Sequence, residues 1–162
     1  MKSGGVTWKS VVLTFVVALI FYFAAYAWLS KRQTGKGPWR VAFSTNSAGV
    51  PRIMIEHSAL GISNVAIQFN GEQLAPGNST GLVAFAKPKQ NIPFGVVAYD
   101  DLMFQPGVVA VDCFGHLIEM APVALGLNGT RVHWTSDTTH SLSVTNKLSA
   151  EARKNLKGGY RR

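Results

Sequence analysis

The hydrophobic and polar positions change pattern along the chain. From Val11 to Leu29, nineteen consecutive residues carry no charge, and only Thr14 among them is neither apolar, aromatic nor small. At a rise of about 1.5 Å per residue, a helix of this length crosses a hydrocarbon core of about 30 Å. The segment therefore predicts a membrane-spanning helix close to the N-terminus.

Aromatic and basic side chains flank this apolar segment on both sides, as they do where a helix meets the headgroup region. The predicted membrane-interface residues are Trp8, Lys9, Tyr26, Trp28, Lys31 and Arg32. An alternative is a cleaved signal peptide, because Ala25, Tyr26 and Ala27 match the A-x-A form of a cleavage site. The apolar run is longer than the hydrophobic region of a signal peptide, which favours a resident anchor.

The orientation of this helix is nearly balanced, because both of its flanks are basic. Lys2 and Lys9 lie on one side, and the other side holds Lys31, Arg32, Lys36 and Arg40. A short leader before a single apolar segment is the usual arrangement of a signal anchor. We therefore expect a single-pass protein of the bacterial inner membrane with a periplasmic domain, and a cytoplasmic domain is the alternative.

After a polar spacer that ends at Pro38, the hydrophobic period becomes two residues. Trp39, Val41 and Phe43 alternate with other residues, which places them on one face of a strand. The predicted strands are 39–44, 52–57, 65–69, 82–86, 94–99, 108–114, 117–120, 123–127 and 130–134. Short strands separated by turn signals predict an all-β domain. The expected architecture is an antiparallel, immunoglobulin-like β-sandwich, with a small open β-barrel as the alternative.

Two details of this domain follow from local composition. The strands 94–99 and 108–114 are the most apolar, so we expect them at the centre of a sheet. Asn70-Gly71 and Asn128-Gly129 are expected in type I′ turns, because both residue types tolerate a positive φ.

The C-terminal part is predicted from weaker signals. Residues 135–145 predict an exposed connector or a last edge strand, and residues 148–156 predict a short helix. The predicted organisation is an N-terminal flank (1–10), a transmembrane helix (11–29), a basic linker (30–38), a β-sandwich domain (39–146) and a basic tail (147–162).

The chain has a formal net charge of +8, but the charge distribution argues against nucleic acid as a partner. Between Val41 and Asn146 there are four basic and seven acidic residues, so the folded part is slightly acidic. The other twelve basic residues flank the apolar segment or lie in the tail. Because basic residues beside a membrane helix are attracted to anionic headgroups, the expected partner of these ends is the lipid bilayer.

One cluster could bind a metal. Cys113, His116 and Glu119 lie close together in the sequence, and thiolate, imidazole and carboxylate groups are ligands of zinc and copper. Met103 and Met120 would suit a soft copper site. However, the C-x-x-H spacing supplies only two ligands locally, and no second pair has matching spacing. We therefore expect no metal or other cofactor, with Cys113 packed as a small apolar residue and His116 hydrogen-bonded to turn backbone.

Catalytic signatures are missing from the sequence. It contains no H-E-x-x-H, G-x-S-x-G, P-loop or G-x-G-x-x-G motif, so we expect no enzymatic activity. His133 and Trp134 could form a surface patch that binds a partner, since tryptophan is favoured at interface centres. Alternatively, Trp134 belongs to the core of the sandwich.

Architecture and charge together lead to a functional expectation. The spacer between helix and domain is too short for long-range capture, so the domain is held in one place. This predicts a non-catalytic, membrane-anchored accessory or assembly subunit that docks on a larger membrane protein complex through its β-sandwich. One alternative is a membrane-tethered copper or zinc carrier that uses Cys113 and His116. Another is a self-associating envelope scaffold, in which exposed strand edges form homo-oligomers.

Overall fold

The computed structural model describes residues 8–34, 36–74 and 80–159, with the backbone alone for residues 30–34 and 157–159. The chain divides into two compact units, Met1–Gly35 and Lys36–Arg162. The boundary lies inside the predicted linker (30–38). The predicted tail (147–162) falls in the same unit as the β domain.

The first unit contains one helix, α1, which spans Trp8–Thr34 and so extends the predicted helix at both ends. Its segment Trp8–Leu29 is long and apolar enough to cross a membrane, and none of it is buried within the protein. The segment has 22 residues, which corresponds to a length of about 33 Å. The Thr14 hydroxyl donates a hydrogen bond to the carbonyl oxygen of Ser10 (2.9 Å), which satisfies its polar group within the helix.

The second unit contains two five-stranded sheets. Sheet A has the order β10-β3-β2-β1-β4, and sheet B has the order β5-β6-β7-β8-β9. The strands of sheet A are β1 (Arg40–Thr45), β2 (Pro51–His57), β3 (Ile62–Asn70), β4 (Gly81–Ala84) and β10 (Thr139–Ser143). The strands of sheet B are β5 (Val96–Asp101), β6 (Val108–Cys113), β7 (His116–Met120), β8 (Leu125–Leu127) and β9 (Thr130–Val132).

The strand order differs between the two sheets. In sheet A, the order β4-β1-β2-β3 is that of a Greek key, whereas sheet B is a simple meander. The expected all-β domain is confirmed, and the strands form two sheets rather than one barrel. The immunoglobulin-like type is not confirmed, because β1 to β4 all lie in one sheet and β5 to β9 in the other. The prediction that all strands pair in antiparallel fashion was wrong at one edge of sheet A, where β10 pairs in parallel with β3.

The core lies between the sheets, where alternate residues of each strand meet. Trp39, Val41 and Phe43 are fully or almost fully buried, as their alternation predicts. From sheet B, Val109, Val111 and Cys113 of β6 and Ile118 and Met120 of β7 join the same cluster. One continuous apolar core therefore holds both sheets together.

The two Asn-Gly dipeptides behave differently. Asn128 and Gly129 both have positive φ (52° and 85°) and connect the paired residues Leu127 and Thr130, so the expected tight turn is confirmed. At the first dipeptide only Gly71 has a positive φ (83°), and β3 is followed by β4, which pairs with β1 instead. The predicted type I′ turn at Asn70-Gly71 was therefore wrong, because no hairpin closes there.

The expectation for the two most apolar strands was half right. β6 lies inside sheet B between β5 and β7, whereas β5 is an edge strand. The register of β5 and β6 shifts between Val97 and Tyr99, and such irregularities are common at sheet edges. Hydrophobic content alone therefore does not distinguish a central strand from an edge strand.

The segments after β9 pack onto the domain. Residues 135–145 contain β10, which confirms the predicted last edge strand, and α2 spans Ala150–Gly159, close to the predicted helix. Lys147 pairs with Glu72 (2.6 Å), and Arg153 of α2 lies 3.4 Å from Asp112. Two basic residues of the predicted tail therefore bind acidic residues of the domain itself.

The strands define two ends of the domain. At one end, called the Trp39 end, β1 begins and the loops β5–β6 and β7–β8 connect their strands. At the other, called the His116 end, the turns β1–β2 and β6–β7 connect theirs.

Candidate functional site

The proposed metal ligands lie on the hairpin of β6 and β7. Cys113 and His116 are directly opposite each other in the register, so their side chains share the core face of sheet B. Glu119 is three residues beyond His116 and pairs with Ala110 and Gly126, which places it on the outer face. The structure brings Cys113 and His116 together but does not assemble the three-ligand set with Glu119.

The other possible ligands are also separated. Met120 is buried in the core, whereas Met103 is exposed on the β5–β6 loop at the opposite end of the domain. Within residues 8–34, 36–74 and 80–159, no group of three histidine, cysteine or acidic side chains is placed to hold a metal ion.

Cys113 has the surroundings of a structural thiol. It is completely buried, and its sulfur lies 3.6 Å from the carbonyl oxygen of Phe94. Gly95 has a positive φ and leaves no room for a Cβ against Cys113 and Asp112, so the backbone passes close to the thiol. Burial, and then the charge of Asp112, raises the pKa of the Cys113 thiol far above its ordinary value. The thiol therefore stays protonated, which disfavours both nucleophilic chemistry and metal binding.

His116 is also completely buried, next to the ring of Phe69. Its Nδ1 lies 3.1 Å from Asn128 Nδ2, so the amide donates and the neutral ring carries its proton on Nε2. Within the described residues, Nε2 has no hydrogen-bond partner. Burial lowers the pKa of His116, with the nearby Glu72 carboxylate opposing and Lys147 reinforcing the shift. His116 is thus a neutral, buried ring with one unsatisfied nitrogen.

Trp134 and His133 do not form one surface patch. His133 is exposed, whereas Trp134 is half-buried and packs against the core. The Trp134 indole donates a hydrogen bond to the carbonyl oxygen of Ala121 (2.8 Å). Trp134 therefore packs against the core without being fully buried.

The Trp39 end is held by a second tryptophan that the sequence did not single out. The buried Trp39 indole donates a hydrogen bond to the carbonyl oxygen of Gly107 (2.7 Å), and its ring stacks on Trp134 with centroids 5.2 Å apart. Each of these tryptophans therefore fastens one loop of sheet B, since Gly107 belongs to the β5–β6 loop and Ala121 to the β7–β8 loop.

A buried histidine completes this arrangement. His57 Nδ1 accepts a hydrogen bond from the backbone N–H of Leu60 (3.2 Å), so Nε2 carries the proton and donates to the carbonyl oxygen of Gly37 (3.1 Å). Its ring also lies edge-on against Trp39, with centroids 4.9 Å apart. These contacts bind the segment 37–39 firmly into the domain.

The two loops fastened in this way carry exposed apolar side chains. In the β5–β6 loop, Met103 is 77% exposed and Phe104 51%, and in the β7–β8 loop Val123 is 86% exposed. A Cβ at Gly107 would overlap the carbonyl oxygen of Asp101, so the β5–β6 loop requires glycine there. The run Leu102-Met103-Phe104 inside a predicted loop is the signal in the sequence for this surface, although Met103 was predicted only as a possible copper ligand.

A cavity of about 420 Å³ lies between residues 89–92 and strand β5. The carboxylate of Asp100 beside this cavity already has a partner within the domain, because the backbone N–H of Lys89 donates a hydrogen bond to it. Burial, followed by the neighbouring Asp101 and Asp100, raises the pKa of Tyr99, which therefore remains protonated at neutral pH. These groups can hydrogen-bond a ligand.

The predicted membrane-interface residues lie on α1. Trp8, Lys9, Tyr26 and Trp28 are exposed, as residues of a helix that faces lipid would be. Lys31 and Arg32 lie in the last part of α1, and their side chains are outside the described part of the structure.

Comparisons of this chain with protein-family models, with curated proteins and with solved structures found no match.

Proposed function

We propose that this protein is a non-catalytic, membrane-anchored accessory or assembly subunit that docks on a larger membrane complex through its β-sandwich. In this proposal α1 is a single transmembrane anchor in the inner membrane. The observation that carries it is the fastening of residues 37–39 by Trp39 and His57. A domain whose connecting segment is locked into its own core has only a short tether to the anchor, which suits docking beside the membrane better than capture of distant partners.

The interior of the domain agrees with a binding role. Cys113 and His116, whose thiol and imidazole groups are the most reactive of the candidate side chains, are buried in the core. Burial keeps both groups in their neutral forms. Exposed edge strands and loops remain as the surfaces through which a partner can be bound. A single-pass anchor confines the protein to the plane of the membrane. This confinement raises its effective concentration toward partners in the same membrane and so favours them over soluble partners.

The test is co-purification of the full-length chain from its native membranes in a mild detergent, followed by mass spectrometry. A constant set of larger membrane chains in fixed stoichiometry is the expected result. The control is a chain that ends after residue 35, because anything retained by α1 alone does not depend on the domain. Recovery of the protein without other chains would overturn the proposal, and recovery of homo-oligomers would favour the scaffold alternative.

We also propose that the domain lies on the periplasmic side of the inner membrane. Protease added to spheroplasts should then remove the domain. Protection of the domain in spheroplasts, with digestion after lysis, would place it in the cytoplasm.

A further inference from the structure

Among the described residues of the β domain, three of the six exposed large apolar side chains, Met103, Phe104 and Val123, lie at one end; the other three are Leu82, Val96 and Val144. Met103, Phe104 and Val123 lie on the β5–β6 and β7–β8 loops, and the paired strands β6 and β7 place these two loops side by side at the Trp39 end. Loops normally carry polar residues at their tips, and grouped apolar residues there mark an interaction surface.

Hydrogen bonds hold both loops in defined conformations. Gly107 and Ala121 accept hydrogen bonds from the two stacked tryptophans, and the backbone N–H of Met103 donates to the side chain of Asp101 (3.3 Å). Because these hydrogen bonds hold the loops in place, the loops do not fold back onto the domain. Their apolar side chains therefore stay exposed to water, which is unfavourable.

The position of these loops along the chain limits what they can reach. α1 ends at Thr34, and Trp39 is already locked into the domain next to both loops. Five residues span at most about 18 Å even when fully extended. If α1 crosses the bilayer, this short tether limits how far the Trp39 end can lie from the end of the anchor.

We infer that the Trp39 end rests on the lipid bilayer, with Met103, Phe104 and Val123 inserted into the interface between headgroups and acyl chains. This inference rests on the proposed function, because it takes α1 as a membrane anchor. Side chains of this kind on protruding loops suit a fluid lipid surface, whereas a protein partner would need a matching pocket for each tip. Insertion of the tips would fix the orientation in which the rest of the β-sandwich meets its partner.

Charge plays a smaller part in this contact. Basic and acidic residues occur together at the Trp39 end, where Arg40 pairs with Glu56 across β1 and β2 and the backbone of Lys89 contacts Asp100. We therefore expect the insertion to occur in zwitterionic bilayers and to depend little on anionic lipid. A purely electrostatic contact would weaken strongly with salt.

The experiment uses full-length protein in phosphatidylcholine vesicles. An environment-sensitive fluorophore is attached to single replacements, Met103→Cys or Val123→Cys, and quenched by lipids that carry a quencher on the acyl chain. The matched control is Ala48→Cys, on the exposed β1–β2 turn at the opposite end of the domain. Wild-type protein measures background labelling, which should be low because Cys113 is buried.

The expected result is several-fold stronger quenching at positions 103 and 123 than at position 48. Quenchers attached near the headgroup should be the most effective, because interfacial side chains lie only about 5–10 Å deep. Equal, weak quenching at all three positions would overturn the inference. A second contradictory result would be a fluorophore that is not quenched in pure lipid vesicles but becomes buried in native membranes. This result would also overturn the inference, and it would assign the loops to a protein partner.

A fourth label separates this inference from the proposed function. Phe21→Cys lies in the middle of α1 and should be quenched by deep acyl-chain quenchers if α1 spans the bilayer. Quenching at position 21 without quenching at 103 and 123 rejects loop insertion and leaves the anchor intact. Failure at position 21 rejects the anchor as well.

Discussion

The two ends of the β domain each contain a buried histidine, and the two histidines are used in opposite ways. At the Trp39 end, both ring nitrogens of His57 have partners, the backbone N–H of Leu60 and the carbonyl oxygen of Gly37. At the His116 end, Nδ1 of His116 is satisfied by Asn128, but Nε2 has no partner within the described residues. One histidine is a cross-link, and the other is a polar group buried at a cost.

This difference matches what each end has to do. The Trp39 end receives the segment that follows α1, and every polar group of its aromatic cluster fastens a loop or strand. The His116 end closes three hairpins, β1–β2, β6–β7 and β8–β9, and holds the segment after β10 through the pairs Lys147 with Glu72 and Arg153 with Asp112. Complete hydrogen bonding of the buried aromatic groups therefore distinguishes the Trp39 end, and substitutions at the two ends should differ in their effect on stability.

The largest effect is expected from Trp39→Ala. The substitution removes a fully buried indole and its hydrogen bond to Gly107, so it should lower the free energy of unfolding by about 3–5 kcal/mol. The measurement is urea denaturation of the detergent-solubilised full chain, followed by circular dichroism. Trp39→Phe should cost less, about 1–3 kcal/mol, because it keeps a ring but leaves the Gly107 carbonyl without its donor.

Trp28→Ala is the matched control for Trp39. Trp28 is exposed on α1 and lies outside the β domain, so its replacement should leave the unfolding of that domain unchanged. Equal destabilisation by both substitutions would contradict the assignment of Trp39 as the residue that holds this end together.

A smaller loss of stability is expected when each of the two buried histidines is replaced by phenylalanine in a separate variant. His57→Phe keeps a ring of similar size but leaves Leu60 and Gly37 without their side-chain partner, which should cost about 1–3 kcal/mol. His116→Phe should cost less, since it removes the unsatisfied Nε2–H and places an apolar ring beside Phe69. The same denaturation measurement compares the two variants. A larger loss for His116→Phe than for His57→Phe would invalidate the contrast between the ends.

Much of the fold follows from the sequence because burial imposes a period of two. Trp39, Val41 and Phe43 alternate, and all three are buried as that pattern requires. The turn at Asn128-Gly129 follows equally directly from the tolerance of both residues for positive φ. Strand partners are less predictable, since the pairing of β4 with β1 and of β10 with β3 joins segments that are far apart in the sequence.

The candidate sites show the same limit. Cys113 and His116 were correctly placed together, because a tight hairpin sets the two residues opposite each other. The separation of Glu119 also follows from the period of two once β7 is known to be a strand. By contrast, the cluster at the Trp39 end joins Gly37, His57, Gly107 and Trp134, and no local pattern relates such distant positions.

The smallest expected effect is a difference in pH dependence that His116 produces. Because burial lowers the pKa of His116 below its ordinary value of 6.5, the unfolded chain binds a proton at a higher pH than the folded chain does. The contribution of His116 to stability is therefore fully present above about pH 6.5 and is lost as the pH falls from there towards the folded pKa. A single group contributes a slope of at most about 1.4 kcal/mol per pH unit.

His116→Phe should flatten this part of the curve, because phenylalanine does not titrate. The measurement is the free energy of unfolding of wild type and variant between pH 7.5 and 5, a range set by the ordinary histidine pKa of about 6.5. Val123→Ala is the control, since Val123 is exposed and does not titrate, so its replacement should leave the slope unchanged. If the wild-type slope survives in His116→Phe, the acid sensitivity comes from another group, and the unsatisfied nitrogen at this end carries no measurable cost. If the slope is lost, the difference between wild type and His116→Phe shifts in favour of the variant on acidification. The His116 end is then the part of the domain that acid weakens first.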